Sequence, residues 1–187
     1  MLTLKAILGI MLAGLLTDNY ALLHFLGTGA VIENERSTKR SILLGLGTTV
    51  VMLITNAICW PVNEYLLDSM PYLQTMVFVL IVLFVVEIIH SIAKKLLDNY
   101  CHADFVKFAI NGAVLGLCIH NTHLSFSEAL VSAFATGIGL TLTMTLFAKL
   151  REDAVDEEAV PASFRGLPIS LLTAGMITLV VLALNFA

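Results

Sequence analysis

Six long runs of apolar residues, separated by short polar stretches, dominate the chain. They cover about positions 2–32, 41–60, 72–93, 105–120, 126–150 and 167–186. A transmembrane helix needs about 20 apolar residues to cross the hydrocarbon core of a bilayer. None of the runs alternates apolar and polar residues with a period of two, as a barrel strand would. The pattern therefore predicts an all-α membrane protein with six transmembrane helices.

The first run differs from the others because it is too long for one straight span. Thr17, Asp18 and Asn19 interrupt it, and polar residues at that depth indicate a helix that is broken within the membrane. Lys5 is the only basic residue near its start, and the run lacks the small-x-small cleavage site of a secretory signal peptide. We therefore interpret it as a retained helix.

Composition supports a protein that lies almost entirely in the membrane. Of the 187 residues, 58% are hydrophobic and 13% are charged, and the mean hydropathy is +0.93. A soluble domain usually needs at least ~50 residues, and no polar stretch is that long. The prediction is a single transmembrane domain over positions 1–187. No basic run indicates a nucleic-acid partner.

Lysine and arginine are concentrated in alternate polar stretches. They accompany the stretches after the first, third and fifth runs, at Arg36, Lys39, Arg40, Lys94, Lys95, Lys149, Arg151 and Arg165. The stretches after the second and fourth runs contain neither residue. Because cytoplasmic loops are enriched in lysine and arginine, this pattern predicts that both termini lie outside the cytoplasm.

Small residues are frequent inside the runs, as in Gly45-Leu46-Gly47, Gly137-Ile138-Gly139, Gly112 and Gly116. Glycine lets two membrane helices approach closely, and it also permits a helix to break. Close packing is the favoured interpretation at each position, with a broken helix as the alternative.

Several polar residues lie within the apolar runs. Asp18, Asn19 and Asn111 occupy similar places in the two halves of the chain. They are predicted to cap the ends of half-helices, with an ion or cofactor role as the alternative. Glu87 and His90 lie three residues apart, on one helix face. A pair that snorkels to the membrane interface near Lys94 is the favoured interpretation, and a proton path is the alternative.

The cysteines indicate neither a disulfide framework nor a metal centre. Cys59, Cys101 and Cys118 have no CxxC-type spacing, and their predicted depths in the membrane do not converge. Cys118 with His120 and His123 could hold a metal, but an ordinary interfacial loop is the favoured interpretation. We predict no metal site.

Motifs along nearly the whole chain resemble one family of membrane proteins. They are the stretches DNYAL and FLGTG within 18–29, NGAVLG at 111–116, RE at 151–152, VPASFRG at 160–166 and ISLLTAG at 169–175. These are similar to the membrane subunits shared by the Rnf electron transport complex and the sodium-pumping NADH:quinone reductase. The match is best to the RnfA/NqrE branch, whose orientation agrees with the predicted topology.

The resemblance implies six helices built as two inverted three-helix repeats, about 1–95 and 96–187, with helices 1 and 4 discontinuous. It also implies a partner, the RnfE/NqrD-like sister subunit, which is inserted the other way up. In the family, each of the two subunits contributes two cysteines to one two-iron, two-sulfur cluster. That cluster relays electrons across the membrane, and the redox steps are coupled to Na⁺ or H⁺ movement.

The chain departs from the family at both cysteine positions, which are Gly29 and Gly112 here. Glycine has no donor atom, and an iron–sulfur cluster needs thiolates or occasionally histidine. Cys118 lies six residues beyond Gly112, about 9 Å along a helix, and His24 lies near Gly29. Rescue of the cluster by these residues is disfavoured because all ligands must meet at one point. We therefore expect no cofactor in this chain.

The resulting hypothesis is an integral membrane subunit of an Rnf/Nqr-like, redox-driven, ion-translocating electron transport complex. Its expected location is a bacterial or archaeal plasma membrane, and its expected role is structural or in the ion path. It would assemble with the sister subunit, together with other complex subunits, or as a homodimer, and it is not expected to be catalytic alone. The alternative, suggested by Asp18, Glu87 and His90, is a small stand-alone transporter or channel without a redox cofactor.

Overall fold

The computed structural model describes residues 38–67, 70–96, 112–154 and 166–186, together with positions 9, 161 and 163. Every longer element in these ranges is helical. In chain order they are α1 (Thr38–Val62), a π-helical segment (Asn63–Leu67), α2 (Pro71–Leu96), α3 (Gly112–His120), a 3-10 turn (Asn121–His123), α4 (Phe126–Ala154) and α5 (Leu167–Phe186).

Three of the described helices are long and apolar enough to cross a membrane. Their spans are Ser41–Leu67, Tyr72–Ile92 and Phe126–Leu150, and Pro168–Val180 in α5 forms a shorter apolar stretch. Within the described residues, the helices agree with the prediction of an all-α membrane protein, and the number of six transmembrane helices stays a prediction. The apolar run at 2–32 lies outside the described residues except for position 9, as do residues 105–111 of the fourth run.

Some of the predicted helix limits agree with the structure and others do not. Helix α5 begins and ends where the sixth run does, and α2 and α4 extend their runs into the flanking charged residues. The predicted end of the second run at Pro61 is wrong, because Pro61 lies inside α1 and the chain continues into the π-helical segment. Proline removes one backbone hydrogen bond but does not always end a helix, and the wider π turn follows at once.

Helices α1 and α4 are antiparallel and form the centre of the described structure. At one end, the Thr38 hydroxyl donates to Glu152 Oε2 over 2.7 Å. At the other end, the Trp60 and Phe126 rings pack edge to face with centroids 5.3 Å apart. The main hydrophobic core lies along this pair and includes Val51, Met52, Val82, Val86, Val114, Leu117, Leu140, Met144 and Phe147.

The two central helices approach most closely where a glycine of each meets a threonine of the other. A Cβ placed on Gly45 would lie 2.7 Å from Thr141 Cγ2, and one on Gly137 would lie 2.5 Å from Thr49 Cγ2. Both distances are too short for a real Cβ, so neither position accepts a larger residue without displacement. The packing interpretation of these glycines is confirmed, and the close approach gives extensive van der Waals contact.

The threonine hydroxyls at this crossing point are satisfied within the helices. The Thr49 hydroxyl donates to the Gly45 carbonyl, and the Thr141 hydroxyl donates to the Gly137 carbonyl, each over 2.9 Å. The two hydroxyl oxygens lie 3.3 Å apart. Exchanging α1 with α4 therefore reproduces the same set of contacts.

Candidate functional site

Helix α3 includes Gly112, one of the two positions that the resemblance assigns to a cluster cysteine. Gly112 is exposed, and glycine offers no side-chain donor to iron. Gly29, Asp18, Asn19 and Asn111 lie outside the described residues. At Gly112 the residue present does not fit a thiolate-held cluster.

The rest of α3 is anchored on two sides. Ala113, Val114 and Leu117 are fully buried in the main core. Cys118 points into a second cluster, in which Leu115 and Ile119 also pack. This packing on two sides holds α3 in place.

Buried amide groups join α3, α1 and α4 at the end of the bundle where the 3-10 turn lies. Asn56 Nδ2 donates to the Ala129 carbonyl over 2.9 Å. Asn121 Nδ2 lies 3.2 Å from both Asn56 Oδ1 and the same carbonyl. Both asparagines are only 1% exposed. We call Asn56, Asn121 and the Ala129 carbonyl the amide cluster.

Two buried oxygens on these elements have no hydrogen-bond partner among the described residues. They are the Thr55 hydroxyl in α1 and Asn121 Oδ1 in the amide cluster. Buried polar atoms are normally paired with protein or with ordered water. This cluster was not predicted from the sequence. The sequence feature that could have indicated it is the presence of Asn56 and Asn121 at the ends of two apolar runs.

Glu87 and His90 both lie in α2, within the candidate span Tyr72–Ile92. Glu87 is exposed and His90 is half-buried. The neighbouring positions on the same stripe of α2 are large, apolar and exposed, namely Met76, Leu80, Leu83 and Phe84. A carboxyl group on such a stripe is costly in contact with lipid. This stripe, which we call the Glu87 face, therefore suits contact with another protein surface.

Two cysteine side chains meet between α1 and α3. Cys59 and Cys118 belong to the same buried cluster, and they are 1% and 2% exposed. The prediction that their depths do not converge is wrong for this pair. Cys101 lies outside the described residues. Within the described ranges, no group of three or more histidine, cysteine and carboxylate side chains is placed to hold a metal ion.

Comparison with known proteins identifies the family. Residues 7–187 match the model of a family described as "Rnf-Nqr subunit, membrane protein". The A-type subunit of the ion-translocating oxidoreductase complex of Syntrophotalea carbinolica is 33% identical over 183 residues, which cover 94% of each chain. The A-type subunit of the Na(+)-translocating ferredoxin:NAD(+) oxidoreductase complex of Acetobacterium woodii is 32% identical over 183 residues, covering 94% of this chain and 95% of that one.

A third relative is similar to this chain over nearly the same length. The A-type subunit of the ion-translocating oxidoreductase complex of Rhodobacter capsulatus is 30% identical over 177 residues, which cover 91% of each chain. The matched regions include every described helix, and they include the motifs that carry the resemblance. The chain belongs to the Rnf-Nqr subunit family of membrane proteins.

Proposed function

We propose that this protein is a membrane subunit of a redox-driven, ion-translocating electron transport complex, corresponding to the A-type subunit of its relatives. The observation that carries the proposal is the match along nearly the whole chain to three proteins that bear this name in such complexes. The match spans about nine-tenths of both partners in each comparison, so the similarity extends along most of each subunit. It is not limited to a shared fragment.

The role within that complex differs from a simple electron relay. Gly29 and Gly112 stand at the family's cysteine positions, so this chain supplies no thiolate there. A structural role, or a role in the ion path, fits the residues that remain. The orphaned oxygens of Thr55 and Asn121 support an ion-path role, because buried oxygens without partners are the atoms that solvate a passing cation or water.

The six-helix architecture with two inverted repeats is part of the proposal. Its support is a pair of equivalent contacts, between Gly45 and Thr141 and between Gly137 and Thr49. Each helix supplies one glycine and one threonine, so exchanging α1 and α4 gives the same pair of contacts. Repeats at about 1–95 and 96–187 would place one of these helices in each half. Transporter-like folds with such repeats place their functional residues at the interface between the two halves.

The Glu87 face supplies the partner surface. We propose that it contacts the oppositely oriented RnfE/NqrD-like sister subunit in a bacterial or archaeal plasma membrane. Only 22% of the α2 span is buried within the chain, against 50% for the spans of α1 and α4. A polar partner group in the sister subunit would satisfy the Glu87 carboxyl group, which the chain itself leaves exposed.

The test is purification from native membranes in a gentle detergent, followed by identification of every co-purifying chain. The proposal predicts a sister six-helix subunit together with flavin- or iron–sulfur-bearing subunits. Recovery of the chain alone, or only with further copies of itself, would contradict it. That result would favour the second candidate, a stand-alone transporter or channel.

The second candidate rests on Glu87 and His90 within a candidate span and on Asp18 in the first run. Proteoliposomes that contain only this chain provide its test. Flux of Na⁺ or H⁺ that is lost in Glu87→Gln would support it, and the absence of flux would exclude it.

A further inference from the structure

Helices α2 and α5 hold matching places beside the central pair of helices. At the crossing of α1 and α4, Thr141 lies 92 positions after Thr49, and Gly137 lies the same number of positions after Gly45. Helix α2 packs against α1, and α5 packs against α4. Each position of α2 can therefore be compared with the position 92 residues later, in α5.

Buried and exposed side chains alternate in the same way along the two helices at this spacing. Phe78 in α2 and Ser170 in α5 are 0% and 1% exposed, whereas Phe84 and Met176 are 70% and 68% exposed. The same agreement holds for the exposed pair Leu80 and Leu172 and for the buried pair Val85 and Ile177. The two helices thus present equivalent faces to the outside of the chain.

The clearest difference between the two faces is an exposed carboxyl group. Glu87 is exposed on α2, and the equivalent position on α5 is Leu179, which is 67% exposed. The exposed side chains around Leu179 are apolar, namely Leu171, Leu172, Met176 and Val180, and they need no polar partner. Because the fold accepts leucine at the equivalent position, the comparison indicates that Glu87 serves a contact outside the chain.

Glu87 lies well inside its span. It is 15 residues from Tyr72 and five residues from Ile92, the two ends of the span, so the nearer end is about 8 Å away along the helix axis. In an α-helix the Cα–Cβ bond tilts toward the N-terminus, which turns this side chain toward the middle of the span and away from Lys94. Carboxyl groups at such depth in a membrane protein pair with other charged side chains.

We propose that the Glu87 carboxylate forms an ion pair, inside the membrane, with a lysine or arginine of the sister subunit. The inference rests on the proposed function, which supplies the sister subunit, and it adds the chemistry of the contact. The exposed apolar side chains of Leu80 and Phe84 flank Glu87, so they shield the pair from water when the subunits meet. Each charge is costly in the membrane alone and is neutralised in the pair, so the contact favours assembly with the matching subunit.

The first test compares equivalent positions of the two faces in native membranes that contain the whole complex. The photoreactive residue p-benzoylphenylalanine replaces Phe84 in one variant and Met176 in the other, because both side chains are large and similarly exposed. Irradiation should cross-link the sister subunit to position 84 and not to position 176. A cross-link to the sister at position 176, or none at position 84 in a complex that contains the sister, would overturn the proposal.

The second test identifies the ion pair by exchanging its charges. Glu87→Gln should lower the recovery of the sister subunit about tenfold, and Glu87→Lys should lower it further. The matched control Leu179→Gln places the same amide on the equivalent face and should leave the recovery unchanged. In the Glu87→Lys protein, each lysine and arginine in the membrane spans of the sister is then changed in turn to glutamate, and one such exchange should restore the recovery.

The outcomes separate this inference from the proposed function. If the sister subunit does not co-purify with the unaltered chain, the proposed function fails, and the ion pair fails with it. If the sister co-purifies but its recovery is unchanged in Glu87→Gln, or no charge exchange restores it, the ion pair alone is overturned. Should Glu87→Lys not accumulate in the membrane, Glu87→Gln and the cross-link at position 84 decide the question.

Discussion

Helices α1 and α2 are both apolar and both long enough to cross a membrane, yet α1 packs within the chain and α2 is largely exposed. Half of the α1 span is buried within the chain, and its closest contact places Gly45 against Thr141. The α2 span is 22% buried and presents Glu87 on an exposed apolar stripe. Hydrophobicity alone therefore does not distinguish a helix that packs inside the subunit from one whose surface suits a partner protein. Small residues are found on the helix that packs inside the subunit, and an ionisable residue is found on the exposed helix.

The largest expected effect comes from adding a methyl group at the crossing of α1 and α4. Gly137→Ala would place a Cβ 2.5 Å from Thr49 Cγ2, so the helices must separate. Overpacking typically costs about 1–3 kcal/mol, and we expect a loss near the upper end, about 3 kcal/mol in the free energy of unfolding. Unfolding in detergent with increasing SDS, followed by circular dichroism, measures it.

Gly175→Ala is the matched control for that substitution. Gly175 also lies in a helix, but a Cβ there would meet nothing within 4 Å. Because alanine favours helices over glycine, its free energy of unfolding should be unchanged or higher by up to about 1 kcal/mol. Adding Thr49→Ala to Gly137→Ala removes the nearest methyl group and should recover part of the loss. Equal effects at positions 137 and 175 would refute the role assigned to the crossing.

A smaller loss of stability is expected from the amide cluster. Asn56→Ala removes the donor to the Ala129 carbonyl and the acceptor for Asn121. Buried groups left without partners cost about 1–3 kcal/mol in proteins generally, and single hydrogen bonds between membrane helices average about 0.6 kcal/mol. We therefore expect a loss of about 1–2 kcal/mol in the same SDS titration.

The control for Asn56→Ala is Gln74→Ala, which breaks a half-buried side-chain hydrogen bond to Asn63. Water or lipid head groups can replace that bond, so a loss below about 0.5 kcal/mol is expected. If Gln74→Ala proved as damaging as Asn56→Ala, burial would not be what gives the amide cluster its importance.

The Glu87 face should matter for assembly and hardly at all for the isolated chain. Glu87→Leu removes an exposed carboxyl group from an apolar stripe, so the isolated chain should be as stable as before. A hydrogen bond to a charged group contributes about 1.5–3 kcal/mol, so co-purification of the sister subunit should fall at least about tenfold. Quantitative mass spectrometry of the purified complex measures the ratio of the two subunits.

The smallest effect is expected at the exposed end of the central pair. Thr38→Ala removes the hydrogen bond from the hydroxyl group to Glu152, which water replaces at little cost. The free energy of unfolding should change by less than about 0.5 kcal/mol. A loss larger than that of Asn56→Ala would show that the ends of α1 and α4, and not their crossing, hold the pair together.

Runs of apolar residues are sufficient to predict the helices, because membrane helices satisfy their own backbone and need only length and hydrophobicity. The limits predicted for helix α5 agree with the structure to the residue. The glycines of the crossing are recognisable as packing sites, but their partners are not. Which threonine meets Gly45 depends on the register of two helices far apart in sequence, and no pattern within either helix determines it.

The contact between the two cysteines escapes prediction for a related reason. Ending the second run at Pro61 puts Cys59 at a helix end, whereas the helical segment continues to Leu67. The error moves Cys59 in depth relative to Cys118, so that the two thiols are not expected to meet. The replacement of the two cysteines that the resemblance predicts is visible without a structure, because Gly29 and Gly112 are read directly from the sequence.

The central proposal is that this protein keeps the family scaffold while supplying no ligands for the cluster that the resemblance assigns to the family. The most direct measurement is anaerobic incubation of the purified chain with ferrous iron and sulfide, followed by desalting and analysis of bound iron and acid-labile sulfide. We expect neither at stoichiometric levels. Two irons and two sulfides per pair of chains, lost in Cys59→Ser or Cys118→Ser, would contradict the claim and show that the cluster has moved to other residues.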